Sequence, residues 1–267
     1  MSPDTKLSPA KKAIVGVQFL FVAFGATVLV PLLVGMDPST ALFVAGVGTL
    51  IFHLVTKGIV PIFLGSSFAF IAPIITATQL YGLSGTLSGL IGVALVYFIT
   101  SALVKWQDIK IIEKLFPPVV VGPVIILIGL SLAKTGVSMA ESNWIIALIS
   151  LITAVFVSIK AKGLLRLIPI FCGIIAGYIT ALLFFEVDLK PVRDAAWFSL
   201  PQFTFPEISW EPILFMIPVA IAPVIEHIGD VYVVNSVTGK NFIKSPGLHR
   251  TLFGDGLACL FAGIVGG

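Results

Sequence analysis

Nine apolar runs, most of them long enough to cross a hydrocarbon layer about 30 Å thick, constrain this chain more than any other feature. They fall at roughly 13–34, 39–55, 59–80, 83–104, 117–137, 144–159, 167–187, 212–237 and 251–267. Inside a bilayer every backbone N–H and C=O must find its partner within the protein, so such a chain reads as an all-α polytopic membrane protein. The sixth run is short for a span, and Lys160 and Lys162 at its end are placed to snorkel toward water. Composition agrees. Hydrophobic residues make up 58%, charged residues 11%, and mean hydropathy is +1.11, which excludes an ordinary soluble domain. The first run is too long for the apolar part of a signal peptide and leads into further spans, so it is expected to remain in the mature protein.

The basic residues sort by side. With the N-terminus placed in the cytoplasm, all 16 Lys and Arg except Lys134, Lys190 and Arg193 fall on the cytoplasmic face. That bias is the positive-inside pattern of a plasma-membrane protein, and it supports both the span count and the orientation. The net charge of +3 therefore reports topology, and no nucleic-acid partner is implied. Cys172 and Cys259 both sit in apolar runs and read as buried free thiols. No Cys–His metal pattern is present, and neither a metal nor a cofactor is expected.

The stretch from Glu186 to Glu211 carries mixed charge with Pro191, Pro201 and Pro206, and is the best internal boundary, seven spans in. Across it, Leu42, Phe43, Gly46 and Leu50 match Leu252, Phe253, Gly256 and Leu260 at one fixed offset. An odd number of spans between copies inverts their topology, which is how an inverted repeat would look; four small or apolar matches could equally be chance.

Chemistry concentrates in PVIEHIGD, Pro223 to Asp230. A carboxylate at the centre of a spanning helix costs roughly 2.5–3.5 kcal/mol on insertion scales, so an intramembrane ionisable group is a functional-site candidate by default. Glu226 and Asp230, four residues apart, share a helix face, whereas His227 points about 100° away. The plainer reading is a polar face satisfied by neighbouring helices. A zinc-protease pattern needs two histidines four apart, and EHIGD has one. The second unusual stretch is VPIFLGSSFAFIAP, Val60 to Pro73. With Gly65, Ser66, Ser67 and Pro73 so close together it is expected to break from regular helix, and irregular backbone at membrane depth lines a cavity or is buried in protein. Against this stands an ordinary helix that carries Gly and Pro, common in membranes. Gly173/Gly177 and Gly85/Gly89 read as close helix packing. Pro117 and Pro118 read as a helix start. GDGLACLFAGIVGG lacks the Lys-Ser/Thr of a phosphate loop.

GATVLVP (Gly25–Pro31), GSSFAF (Gly65–Phe70), LFPPVVVGPVI (Leu115–Ile125), EHIGD and SPGLHR (Ser245–Arg250) occur in an order and spacing that resembles the nucleobase–ascorbate transporter family, nucleobase:cation symporter-2, nearest its bacterial uracil permease branch. The resemblance covers essentially the whole chain. It implies an inverted repeat of seven plus seven spans, here the first repeat and two spans of the second, with a short extended segment in span three. It divides the chain into 1–115 (core, spans one to four), 116–190 (gate, spans five to seven) and 191–267 (core, spans eight and nine). By the motif match Glu226 would accept the nucleobase N–H groups, and Phe68, with Ser67 and Gly65, would meet the base from the broken segment. Proton-coupling candidates are Glu226, Asp230 and His227. The family's best-known uracil permease has His where this chain has Asp230 and just after the Gln that matches Gln18, where this chain has Phe19, so the coupling relay is the part least fixed. The family also continues into a tenth span that bears a second substrate glutamate.

The reading is a secondary active transporter, not an enzyme: a proton-coupled symporter that brings a nucleobase, uracil first, into the cell. The alternatives are a xanthine or other purine permease of the same family, and a truncated, non-transporting fragment or assembly partner. The partners are the nucleobase, the proton and the bilayer; the oligomeric state stays open, a homodimer included.

Overall fold

The apolar runs become helices, and the places where they fail to do so matter most. The computed structural model describes residues 25–107, 118–162, 165, 168–196 and 200–267. In chain order they form α1 (Gly25–Val34), α2 (Pro38–Val55), a 3-10 turn (Phe68–Phe70), α3 (Ile71–Gln107) and α4 (Pro118–Ser131). Then come α5 (Ala133–Ala140), α6 (Trp144–Lys160), α7 (Pro169–Phe184), α8 (Lys190–Asp194), α9 (Trp210–Val219), α10 (Ile221–Thr238) and α11 (Leu248–Val265). No strand occurs among the described residues. Pro38–Val55, Phe68–Gln107, Gly122–Ala140 and Ile243–Val265 are long and apolar enough to cross a membrane. The bent pair α9–α10 passes the same test of length and apolarity when its two helices are taken together. The chain is a multi-pass, all-α membrane protein.

Local chemistry sets the ends. Asp37 caps α2 by accepting from the N–H groups of Ser39 (3.1 Å) and Thr40 (3.2 Å), and Pro38 follows where its missing N–H is not needed. The other end of α2 stops because Lys57 (φ 57°) and Gly58 (φ 65°) both turn left-handed. α4 starts at Pro118, as the tandem prolines suggest. Inside α3, Gly82 has φ 71° and ψ 173°, which is not helical. Across it the hydroxyls of Thr78 and Thr86 meet at 3.1 Å, whereas eight residues of straight helix would separate their backbones by about 12 Å. The chain therefore doubles back at Gly82, between the third and fourth apolar runs.

The described residues group into two compact units. The larger holds 26–131 and 201–267. Its interior is built around Phe52, Leu87, Val93, Met216, Ile228 and Leu252, all buried. Here α11 packs on α2 and α3, α9 packs on α3, and α10 packs on α4. Close approach is what the small residues supply: a methyl on Gly92 would come within 3.0 Å of the Ile213 carbonyl, and one on Gly263 within 3.0 Å of the Leu87 carbonyl. The extended stretch 201–209 ties helix ends together. The Thr40 hydroxyl reaches the Gln202 carbonyl (3.0 Å), Thr204 N–H donates to Val265 (3.2 Å), and Glu207 N–H donates to Ser84 (3.1 Å).

Among the described residues the smaller unit takes in helices α5 to α8. Its main contact is α6 on α7. A methyl on Gly173 would stand 2.7 Å from the Ser150 carbonyl, and Gly177 lies against the Ser150 hydroxyl. Elsewhere these helices show Leu148, Leu151, Ile152, Phe156 and Leu183 to their surroundings, as lipid-facing helices do.

Candidate substrate site

Residues 59–67, where the third apolar run should have begun its helix, are not helical. The break has local causes: the left-handed pair at 57 and 58 ends α2, Pro61 has no N–H to give, and Gly65 stabilises no helix. A backbone freed from helix must be satisfied otherwise at membrane depth. Thr49 does part of this from α2. Its hydroxyl accepts the Leu64 N–H (3.0 Å), lies 3.3 Å from the Leu64 carbonyl, and donates to Ala45 (2.7 Å). Gly65 lies close to α1, where a methyl on it would stand 3.1 Å from Thr27 Oγ1.

Ser67 ends the extended stretch in a β conformation and caps the short turn that follows, its Oγ accepting from Ala69 N–H at 3.2 Å. The same hydroxyl donates to Glu226 Oε2 at 2.5 Å. One serine thus fixes the start of the helical part of this span and touches the carboxylate of another. Phe68, half-buried, opens the turn beside it.

Glu226 itself follows a second break. The apolar run 212–237, read from sequence as one span, is two helices bent by 41° about Ala220, with Pro218 inside α9 and Pro223 in the first turn of α10. Glu226 stands half-buried a little over one turn into α10. Asp230, one turn further on, is exposed, and no hydrogen bond joins it to Glu226. His227 is 5% exposed and turns the other way, where its Nδ1 lies 2.9 Å from Asp255 Oδ2 on α11. Its ring meets Phe52 of α2 and Tyr97 of α3 edge-on, with centroids 6.4 and 6.3 Å apart.

The larger unit therefore brings Ser67 to Glu226, with Gly65 and Phe68 on the same broken segment, and leaves Asp230 exposed where His227, three residues earlier on the same helix, is buried. Sequence reading missed two contributors. Asp255 was legible as a carboxylate within an apolar run, the same signal that singled out Glu226. Thr49 carried no signal, because a threonine in a spanning helix usually bonds its own backbone, and this one does that as well. Among the described residues no group of three or more His, Cys, Asp or Glu is placed to hold a metal ion.

A carboxylate that is half-buried and bonded to a hydroxyl is a strong acceptor for N–H donors. An irregular segment next to it offers backbone groups to a small planar molecule with donors and acceptors on one edge.

Comparison with known proteins gives this arrangement a family. Residues 10–267 match the Xan_ur_permease model, described as Permease family. The chain is 51% identical over 269 residues to a "Probable uracil permease" of Haemophilus influenzae, covering 97% of this chain and 65% of that one. It is 45% identical over 265 residues to the "Uracil permease" of Bacillus caldolyticus, covering 94% and 61%. Against the "Putative pyrimidine permease RutG" of Escherichia coli (strain K12) it is 37% identical over 284 residues, covering 100% and 64%. The chain thus spans less than two thirds of the length of these curated relatives.

Proposed function

The chain belongs to the permease family, and from that premise we propose that it acts in secondary active transport of a nucleobase, uracil first, across the plasma membrane with a proton. Relatives named as uracil permeases support the substrate. The single observation that carries the reading is the 2.5 Å hydrogen bond from Ser67 to Glu226, which joins the broken segment of one span to the carboxylate of another. In this reading Glu226 accepts the imide N–H groups of the base, and backbone groups from Gly65 to Phe68 meet its carbonyls. Glu226 also takes the coupling proton, with Asp230 as the second carboxylate of the relay. The N-terminus faces the cytoplasm.

We assign residues 1–115 and 191–267 to a core that holds substrate and 116–190 to a gate, with transport by movement of one against the other. Support comes from the larger compact unit, which contains every residue of the site; it also takes in α4, which the motif division gives to the gate. The inverted repeat has a support of its own. Gly48 and Ala258 stand at the same offset as Leu42 and Leu252, and a methyl on Gly48 would lie 3.0 Å from Ala258 Cβ. A residue that meets its own repeat mate sits on a pseudo-two-fold axis.

The test is uptake of labelled uracil by cells expressing the intact protein. Glu226→Gln keeps size and removes the charge and the titratable proton, and uptake should be lost with membrane insertion intact. Glu226→Asp should be weakened less. Wild-type uptake in the Gln variant would contradict the assignment, and saturable uptake of a purine but not of uracil would move the substrate within the family.

A further inference from the structure

His227 and Glu226 are neighbours in sequence with opposite surroundings. Glu226 is half-buried and bonded to Ser67; His227 is buried at a junction of four helices. Around the imidazole, α11 contributes Asp255 at 2.9 Å from Nδ1, α3 contributes the ring of Tyr97, and α2 contributes the ring of Phe52. The other charged or titratable groups nearby are Cys259 on α11, Glu226 and Asp230 on α10, and His53, whose ring is 6.0 Å from that of Phe52. The second imidazole nitrogen, Nε2, is buried with no hydrogen-bond partner.

We propose that His227 is a positioning residue: by donating Nδ1–H to Asp255 it fixes the rotation of α10 about its axis and so keeps Glu226 turned toward Ser67. This rests on the reading of Glu226 as the substrate carboxylate. It also divides the three coupling candidates of EHIGD into two kinds. An imidazole that relays a proton through itself receives it on one ring nitrogen and releases it from the other. Here one nitrogen is committed to a carboxylate and the other is enclosed by aromatic edges, where a second N–H would have no acceptor. Positioning needs only what is present: one directed bond, to a partner on a different helix, made by the residue next to the one being aimed. Successive residues on a helix point about 100° apart, so a bond that holds the 227 direction holds the 226 direction with it. Asp255 plays the orienting role that a carboxylate plays toward a metal-bound or catalytic imidazole, fixing tautomer and ring plane together.

Two measurements test this, and the first does not involve substrate. The chain has three histidines, His53, His227 and His249, so long-range 1H–15N spectra of the purified protein in detergent can be assigned by replacing His53 and His249 with Gln in turn. His227 is expected to carry its proton on Nδ1 and to lose that fixed tautomer in Asp255→Ala. A proton on Nε2 would overturn the proposal. The second compares His227→Asn, whose amide donor stands near the position of Nδ1, with His227→Gln and His227→Leu, whose side chains cannot donate from there. The Asn variant should keep most of the uptake with the wild-type pH profile, while Gln and Leu raise KM roughly tenfold or more through misplacement of Glu226. An Asn variant that reaches the membrane but transports with an altered pH profile would make His227 a proton carrier and overturn the proposal. Where the variants fail to fold, the tautomer of the unmodified protein decides. The expected tautomer without any uracil uptake would contradict the substrate reading and leave the positioning role standing.

Discussion

In the α6–α7 pair, Gly173 and Gly177 let one helix rest on Ser150 of the other, and the remaining faces show Leu, Ile and Phe. Around Glu226 the same device recurs: α11 rests on α2 at Gly254 and on α3 at Gly263. There the resemblance stops. The helices of the first region carry no Asp, Glu, His or Arg, and their contact is made of small and apolar residues. The second pairs Ser67 with Glu226, His227 with Asp255, and Thr49 with the freed backbone of Leu64. Glycine contacts build helix pairs anywhere in such a protein. Polar groups at membrane depth persist where they do something else.

That contrast can be broken or sharpened by substitution. The largest effect is expected from Glu226→Gln, which should reduce uracil affinity on the order of a hundredfold, since a hydrogen bond to a charged group contributes about 1.5–3 kcal/mol. Its melting temperature, read by fluorescence size exclusion, should barely change. Gly173→Ala should do the reverse. The added methyl meets a backbone carbonyl that cannot rotate away, so stability should fall by about 1–3 kcal/mol while uracil binding per folded molecule is kept. A Gly173→Ala protein that melts normally but binds poorly would erase the distinction between the two regions. Thr49→Val comes next, because it leaves the Leu64 N–H unpaired while keeping shape. A loss of about 1 kcal/mol in binding is expected, with recovery in Thr49→Ser.

The smallest effect concerns Asp37, outside the spans. Partial burial works against its charge, but the Thr40 hydroxyl and the N–H groups of Ser39, Gln202 and Thr40 outweigh it and hold the carboxyl below its ordinary value. A depressed carboxyl stabilises above the ordinary carboxylate range and loses that contribution as pH falls through its folded value. Asp37→Asn, which keeps the cap, should therefore destabilise by less than about 1 kcal/mol near neutrality and not at all in acid. A difference that grows as pH falls would contradict this origin.

Much of the architecture was legible because bilayer crossing imposes length and apolarity on every segment. The helices Pro38–Val55, Trp144–Lys160 and Pro169–Phe184 fall where the apolar runs lie. The irregular stretch ahead of Phe68 was legible because Gly65, Ser66, Ser67 and Pro73 crowd residues that disfavour a helix interior into nine positions. What composition alone could not show was pairing. That Ser67 meets Glu226, 159 residues away, depends on how α10 lies against the broken segment, and no local pattern encodes it. The bend at Ala220 was hidden because Pro218 and Pro223 lie in a stretch, 212–225, that stays apolar on both sides of it. Asp255 carried the same signal as Glu226, a carboxylate within an apolar run, but its pairing with His227 depends on how α11 lies against α10.

The most direct test of the account is a double-mutant cycle on uracil affinity with Ser67→Ala and Glu226→Asp, singly and together, in the intact protein. If the hydroxyl and the carboxylate form one site, the two changes are strongly non-additive, with a coupling of about 0.5–3 kcal/mol. If their effects simply add, to within about 0.3–0.5 kcal/mol, the two residues bind independently and the bond between the broken segment and α10 is not what recognises the base.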